Sequence, residues 1–214
     1  MVHNLGEKNS IANQYMSEIR DRVIQQDRSR FRFNMQRLGR IMATEISGDM
    51  PYVSREVETP LGTRKINVLK EQPILVTVFR AGFPYFQGFL DVFDQAEAGF
   101  VGAGREEGGN EISIKLGYVA APSLTNRTLI LVDPMLATGR SFVRAFNALM
   151  LQGKPRSIYI AAMVSAPEGI QYLQENISVP YSIWTFAIDE KLDHRFYIVP
   201  GLGDAGDLCF GEKI

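Results

Sequence analysis

The sequence predicts an α/β fold: a mostly parallel sheet flanked by helices, with an N-terminal helical and β-hairpin extension. Two observations carry this reading. Apolar, β-branched runs such as Pro73 to Phe79, Thr128 to Val132, Ile158 to Val164 and Tyr181 to Ala187 have the texture of buried strands. The segments between them, Phe83 to Phe93, Ser141 to Gln152 and Pro167 to Glu175, read as helices, and strands alternating with helices argue for a parallel sheet covered on both faces. A chain of 214 residues, 45% of them hydrophobic, has the apolar mass for one sizeable core.

Taken in order, Phe31, Met35, Leu38, Met42 and Ile46 recur at three- and four-residue spacing, one face of an amphipathic helix. Seven arginines between Arg20 and Arg40 fall mostly off that stripe and are mixed with Asp21 and Asp27. They are expected on a solvated helix face rather than on an RNA-binding arm. Val57 to Thr59, a turn at Pro60–Leu61–Gly62, and Ile66 to Leu69 predict a hairpin. The strand–helix alternation begins at Pro73, which divides the chain into an extension, residues 1–72, and an α/β core, residues 73–214, within one domain. In the core, Gly99 to Ala103 reads as a short strand, Arg105 to Asn110 as a charged glycine-rich loop, and Glu111 to Ala121 as extended chain. From Lys191 onward no period is evident, and a loop rich in Gly and Asp is expected. Ligands of such sheets bind outside the carboxyl ends of the strands, which points to the loops after Phe79, Ala103, Val132, Val164 and Ala187.

Lys and Arg number 23 and Asp and Glu 24, a net charge of −1. No global basic field is available for nucleic acid or an anionic membrane, so a phosphate ligand needs a local site. No apolar run approaches the roughly 20 residues of a membrane helix, and the polar stretch Met1 to Ser10 lacks a signal-peptide core. One cysteine, Cys209, excludes an internal disulfide, and two histidines cannot complete a Cys/His zinc site. No protein metal site is expected, and the expected location is the cytoplasm.

Leu129 to Ser141 is the most informative stretch. An apolar strand ends at a carboxylate, Asp133, and Pro134, Met135, Leu136, Ala137, Thr138, Gly139, Arg140 and Ser141 lead straight into a helix. Free N–H groups at a helix start, aided by its dipole, make a phosphate cradle. Thr138 and Ser141 add hydroxyls, and Gly139 allows close approach. Helix capping alone accounts for Thr138, Ser141 and Gly139 but not for a carboxylate at the tip of an apolar strand. No Walker sequence occurs, since Gly153–Lys154 is followed by Pro155.

Asp133-Pro-Met-Leu-Ala-Thr-Gly139 resembles the phosphoribosyl-diphosphate (PRPP) loop of the uracil phosphoribosyltransferases, in which proline replaces the second acidic residue usual in the wider superfamily. Arg80–Ala81–Gly82, Ala166–Pro167–Glu168–Gly169 and Tyr197 to Asp207 agree with the same family, so the resemblance runs from about Pro73 to Gly211. It implies a phosphoribosyltransferase-like core with a flexible β hood. One departure stands in the loop, where the family has Thr-Gly-Gly-Ser and this chain has Thr138–Gly139–Arg140–Ser141. The cradle then requires that residue 140 already be helical, or that Arg140 point away or add a cation to the phosphate.

Gly201-Leu-Gly-Asp-Ala-Gly206 matches a dinucleotide fingerprint, but the chain has no room after it for the helix, strand and acid that fingerprint needs. The resemblance implies instead that Ile198, Gly203, Asp204 and Ala205 contact uracil and that Asp204 also reaches the ribose. Backbone groups can read the uracil edge, and such sites can reject an analogue of reversed polarity by roughly 10⁴-fold. The resemblance further assigns Arg80 and Arg105 to the diphosphate, a task that suits the planar, permanently charged guanidinium. His194, flanked by Asp193 and Arg195, is expected on an exposed loop outside the site, and Cys209 as a small buried residue.

The implied reaction is pyrimidine salvage: uracil and PRPP give UMP and diphosphate, with Asp133, Arg80 and Arg105 as the catalytic set and Mg²⁺ carried mainly by PRPP. The implied partners are uracil and PRPP, a second copy in a homodimer or higher homo-oligomer, and GTP as a candidate effector, with neither nucleic acid nor membrane. Two alternatives stay open: a regulator of this fold that binds RNA, and a degenerate homologue that binds uracil or PRPP without turnover. Because the sheet is complete by Ala187, truncation after Pro200 is expected to separate a PRPP half-site from a uracil half-site. Leu202, Leu208 and Phe210 are expected to bury apolar surface.

Overall fold

The computed structural model describes residues 1–106 and 113–212. The chain opens with β1 (Val2–Asn4), then α1 (Ile11–Arg20) and α2 (Arg28–Ser47). Ser10 and Asp27 cap these helices by accepting from the N–H groups of Ala12 and Arg30. The α2 stripe Phe31, Met35, Leu38, Met42 and Ile46 is fully buried, as its spacing requires. A hairpin of β2 (Tyr52–Thr59) and β3 (Gly62–Leu69) follows. It pairs only with itself and exposes Tyr52, Val53, Leu61 and Ile66.

The core then runs β4 (Ile74–Phe79), α3 (Gly82–Val92), β5 (Glu97–Glu106), β6 (Ser113–Ala120), β7 (Thr128–Val132), β8 (Met135–Leu136), α4 (Arg140–Leu149), β9 (Ser157–Ala161), β10 (Val164–Ser165) and α5 (Pro167–Asn176). It closes with β11 (Ser182–Thr185), β12 (Ala187–Ile188), β13 (Lys191–Leu192), β14 (Ile198–Val199) and α6 (Ala205–Phe210). The main sheet has the order β1-β11-β9-β7-β4-β5-β6, parallel throughout except for β5–β6. Alternate residues serve opposite faces, as the strand period dictates. Leu75, Ile130, Val132 and Trp184 join the core under α1, α2 and α3, while Ile74, Val76, Leu129, Leu131 and Ile160 join the one under α4 and α5. Among the described residues no helix is long and apolar enough to cross a membrane.

Several expectations need correction. Val2–Asn4, too short and polar to show a period, is the edge strand beside β11, with His3 stacked on Trp184 at 3.9 Å. The runs Ile158 to Val164 and Tyr181 to Ala187 are not single strands. Each breaks and pairs again, so that β8, β10 and β12 form a second, three-stranded parallel sheet beyond the ends of β7, β9 and β11. Gly99 to Ala103 is part of the longer β5, so Arg105 lies in a strand, opposite Ile114, and not in a loop. Pairing of β5 with β4 ends at Gly102, and the ribbon continues beyond it against β6 alone. Residues 107–110 of the expected loop, and residues 111–112 of the extended stretch, lie outside the described residues. The C-terminal region holds the β13–β14 hairpin and α6 where only loop was expected, and Phe210 is exposed rather than buried.

The arginines are likewise not a merely solvated face. Arg30 grips Glu18 through Nε and Nη2 at 2.9 and 2.8 Å, Arg37 bonds Asn34 and lies over Tyr15, and Arg40 pairs with Asp91 of α3. Arg20 and Arg32 reach the C-terminal segment. Glu18 also accepts from Asn34 and Gln14, so the buried carboxylate joins α1 to α2.

Helices α2 and α3 meet through Gly39 and Gly88. A Cβ at Gly39 would overlap the Tyr85 carbonyl oxygen, and one at Gly88 the Gln36 carbonyl oxygen. Gly39→Val is therefore expected to lower the unfolding free energy by about 3 kcal/mol, the upper range of overpacking; an unchanged calorimetric Tm would refute the close helix contact. A second expectation concerns pH. The hydrogen bonds from Arg30, then Asn34 and Gln14, hold the Glu18 carboxyl at about 2 rather than 4.5. A carboxyl lowered by folding stabilises fully above its unfolded value and loses that contribution as pH falls toward the folded one. The stability gap between the wild type and Glu18→Gln should thus be full above pH 4.5 and shrink toward pH 2. A gap independent of pH in urea titrations would contradict this.

Candidate active site

The Asp133–Ser141 turn is built by the break in β7. Thr77 of β4, buried, donates from Oγ1 to the Val132 carbonyl at 3.1 Å. The Asp133 N–H bonds Ala161 O at 3.1 Å, and Asp133 Oδ1 accepts from Met135 N at 3.3 Å. The next carbonyls point into the neighbouring chain: Pro134 O accepts from Met163 and Val164, and Leu136 O from Ala166 at 2.9 Å. Gly169 of α5 abuts the turn so closely that a Cβ would overlap Ala137 O. Helix α4 starts at Arg140, so the N–H groups of Ser141 and Phe142 in its first turn have no intrahelical acceptor.

Gly139 caps α4 at φ +73°, a left-handed value that suits glycine, and a Cβ there would lie 2.8 Å from Gly169 O. Arg140 is the first residue of α4, so the side chain at 140 needs no positive φ. Its guanidinium carbon lies 5.8 Å from the Tyr172 ring centroid, and its N–H is 3.4 Å from Thr138 Oγ1.

Arg80 follows β4 across a cis peptide from Phe79. Its Nη2 donates to Asp207 Oδ1 at 3.0 Å, its buried Nε has no hydrogen-bond partner among the described residues, and the side chain is 38% exposed. Asp207 belongs to α6, whose cap is Asp204: Asp204 Oδ1 accepts from the Asp207 N–H at 3.0 Å. The spacing Asp204-x-x-Asp207 is an N-terminal helix pattern and was the available signal for α6. Thus one oxygen of the carboxylate expected at the ribose is occupied as a cap. Ile198 is 3% exposed and Ala205, the first residue of α6, also 3%, whereas Gly203 is exposed at φ +93°. The Ile198 side chain therefore lies in the core and not at the surface.

Arg105 lies on the β5–β6 ribbon beyond Gly102. His194 is exposed in the β13–β14 turn, as expected. Cys209 is buried with Sγ 3.2 Å from Met35 Sδ, and burial pushes its thiol up to about 12, which leaves it protonated at neutral pH. The structure thus brings Arg80 and the C-terminal segment together through Asp207, a residue absent from the expected site. The Asp133–Ser141 turn lies at the same carboxyl edge of the sheet.

The family described as "Uracil phosphoribosyltransferase" matches residues 7–212. A uracil phosphoribosyltransferase of Porphyromonas gingivalis is 43% identical over 214 residues, covering 100% of this chain and 99% of its own. One from Pyrococcus furiosus is 35% identical over 202 residues, 93% of this chain and 85% of its own. Among solved structures, the AQ2163 protein from Aquifex aeolicus shares the fold with a TM-score of 0.88 at 28% identity, over 100% of both chains. With a match that spans the helical extension as well as the sheet, the chain belongs to the uracil phosphoribosyltransferase family.

Proposed function

We propose that this transferase moves the phosphoribosyl group of PRPP to N1 of uracil, giving UMP and diphosphate, in the cytoplasm. The observation that carries the reading is the meeting, at one carboxyl edge of the sheet, of the Asp133–Ser141 turn, Arg80 and the Ile198–Asp207 segment. Thr138, Gly139, Arg140 and Ser141, with the preceding loop backbone, receive the 5′-phosphate, and Asp133 accepts from the ribose hydroxyls. Arg80 and Arg105 neutralise the diphosphate. The C1–O bond breaks with its electron pair on diphosphate, N1 of uracil bonds to C1 from the opposite face, and the N1 proton is released. Catalysis then rests on positioning and on electrostatic stabilisation of the leaving group.

Among the described residues no group of three or more His, Cys, Asp or Glu side chains is arranged to hold a metal. Single carboxylates such as Asp133 and Asp204 fit a Mg²⁺ that arrives on the oxygens of PRPP and neutralises diphosphate charge there. Arg20, Arg30, Arg32, Arg37 and Arg40 of α1 and α2 are engaged within the chain, which favours the enzyme over an RNA-binding regulator. The hairpin β2–β3 supports a homodimer or higher homo-oligomer, because a lone two-stranded ribbon with an apolar surface is marginal in water. The test is conversion of radiolabelled uracil to UMP with PRPP and Mg²⁺; absence of UMP would refute the reading.

Truncation after Pro200 would remove Asp207, the partner of Arg80, together with the segment proposed for uracil, so it perturbs both half-sites at once. Point variants are the sharper tools. Asp133→Asn keeps an acceptor for the Met135 N–H but loses charged acceptors worth about 1.5–3 kcal/mol each, so kcat/KM for PRPP should fall at least about tenfold at nearly constant Tm. An unchanged kcat/KM would remove Asp133 from the site. Asp207→Asn should weaken the hold on Arg80 and raise KM for PRPP about threefold to tenfold, in line with a partly exposed ion pair. Loss confined to uracil would place Asp207 on the other substrate instead.

A further inference from the structure

We infer that Arg20 and Asp189 are positioning residues for uracil, acting through the peptide groups of Gly201; the inference rests on the reading that the Ile198–Ala205 segment takes uracil. Arg20, the last residue of α1, meets Asp189 through both arms of its guanidinium, Nη1 to Oδ2 and Nη2 to Oδ1, each at 2.9 Å. The same two side chains hold Gly201 from both sides. Its N–H donates to Asp189 Oδ2 at 2.8 Å, and its carbonyl accepts from Arg20 Nη1 at 3.0 Å. The result is a closed ring of four charge-assisted hydrogen bonds around one glycine. The Asp189 side chain is 8% exposed and that of Arg20 24%, so water competes little.

Gly201 is where the chain turns from β14 into the exposed stretch at Gly203. It sits at φ +59°, and a Cβ there would overlap the Ile198 carbonyl oxygen. The rest of the segment is held from the same N-terminal helices. The Gln25 amide nitrogen, oriented to face two carbonyls, lies 2.9 Å from Leu202 O, and Arg32 Nη1 donates to Cys209 O at 2.8 Å near the end of α6.

Asp189 is itself mounted on the small sheet. It follows β12, and its N–H bonds Ser165 O of β10, the strand that also pairs with Met135–Leu136 of the phosphate turn. The ring therefore refers the position of the C-terminal backbone to the phosphate turn. A backbone that reads a base edge must be held to a fraction of an ångström, and this ring supplies that constraint without touching the base.

The test uses the full chain with Arg20→Lys, which keeps the charge but not the fork, and Asp189→Asn, which keeps an acceptor for the Gly201 N–H. Gly203→Val serves as the control on the segment itself. Each clamp variant should raise KM for uracil about tenfold while KM for PRPP stays within about twofold. A role in stability alone would lower Tm without that split. If Gly203→Val raises KM for uracil and both clamp variants leave it within about twofold, the inference is overturned and the uracil reading stands. If none of the three moves it, the uracil reading fails and the inference with it. Equal rises for both substrates would also overturn the inference, by showing a general scaffold. Should one clamp variant not fold, the other decides on the same criterion.

Discussion

The pairing of Met135–Leu136 with Val164–Ser165, and of these with Ala187–Ile188, is the constraint on which the carboxyl edge of the sheet depends. In most parallel sheets the chain leaves the last strand residue as a free loop. Here three adjacent strands each break for one or two residues and then pair again. The break turns Asp133 out of the sheet, and the renewed pairing, with the bonds from Met163, Val164 and Ala166, points the Pro134 and Leu136 carbonyls into neighbouring chain. The Pro134 and Leu136 carbonyls of this turn are thus satisfied by the chain around β10.

The packing of α5 follows from the same geometry. Gly169 lies against the Ala137 carbonyl and Gly139 against Gly169 O and the Tyr172 side chain, so the turn is backed closely by main chain and by one aromatic ring. Such close packing keeps the start of α4 at a fixed place relative to β10. Arg140 then occupies a helical position, and its guanidinium spreads over Tyr172 of α5.

Several charges of this nearly neutral chain serve as cross-ties between distant segments. Arg30–Glu18 joins α1 to α2, Arg40–Asp91 joins α2 to α3, and Arg20–Asp189 joins α1 to the end of β12. Arg80–Asp207 joins the edge of β4 to α6. These are not equivalent. The exposed Arg40–Asp91 pair contributes little to stability, whereas the Asp189 and Glu18 carboxylates are largely removed from water and demand their partners. The N-terminal helices thereby act as a support for the C-terminal segment, through these ion pairs as well as through the buried Ile198, Leu202, Ala205 and Cys209.

The fold class, the α2 stripe, the hairpin turn, the buried strands β4 and β7 and the polar turn after Asp133 were legible in the sequence, because each is written in residues close together along the chain. Apolar runs set burial, three- and four-residue spacing sets a helix face, and a carboxylate at a strand tip before Thr, Gly and Ser marks a polar turn. The sequence therefore determined most of the core strands and helices and marked a polar turn at the carboxyl edge of the sheet. Only the tertiary structure decided that β1 has a place at the sheet edge, that two apolar runs divide between two sheets, and which groups the charges meet. Arg20 and Asp189 are 169 positions apart, and Arg80 and Asp207 are 127 apart. No local pattern specifies such pairs, because a charged side chain on a helix reads the same whether it faces water or a partner. The choice is made when the layers close and one arrangement satisfies the buried donors and acceptors together.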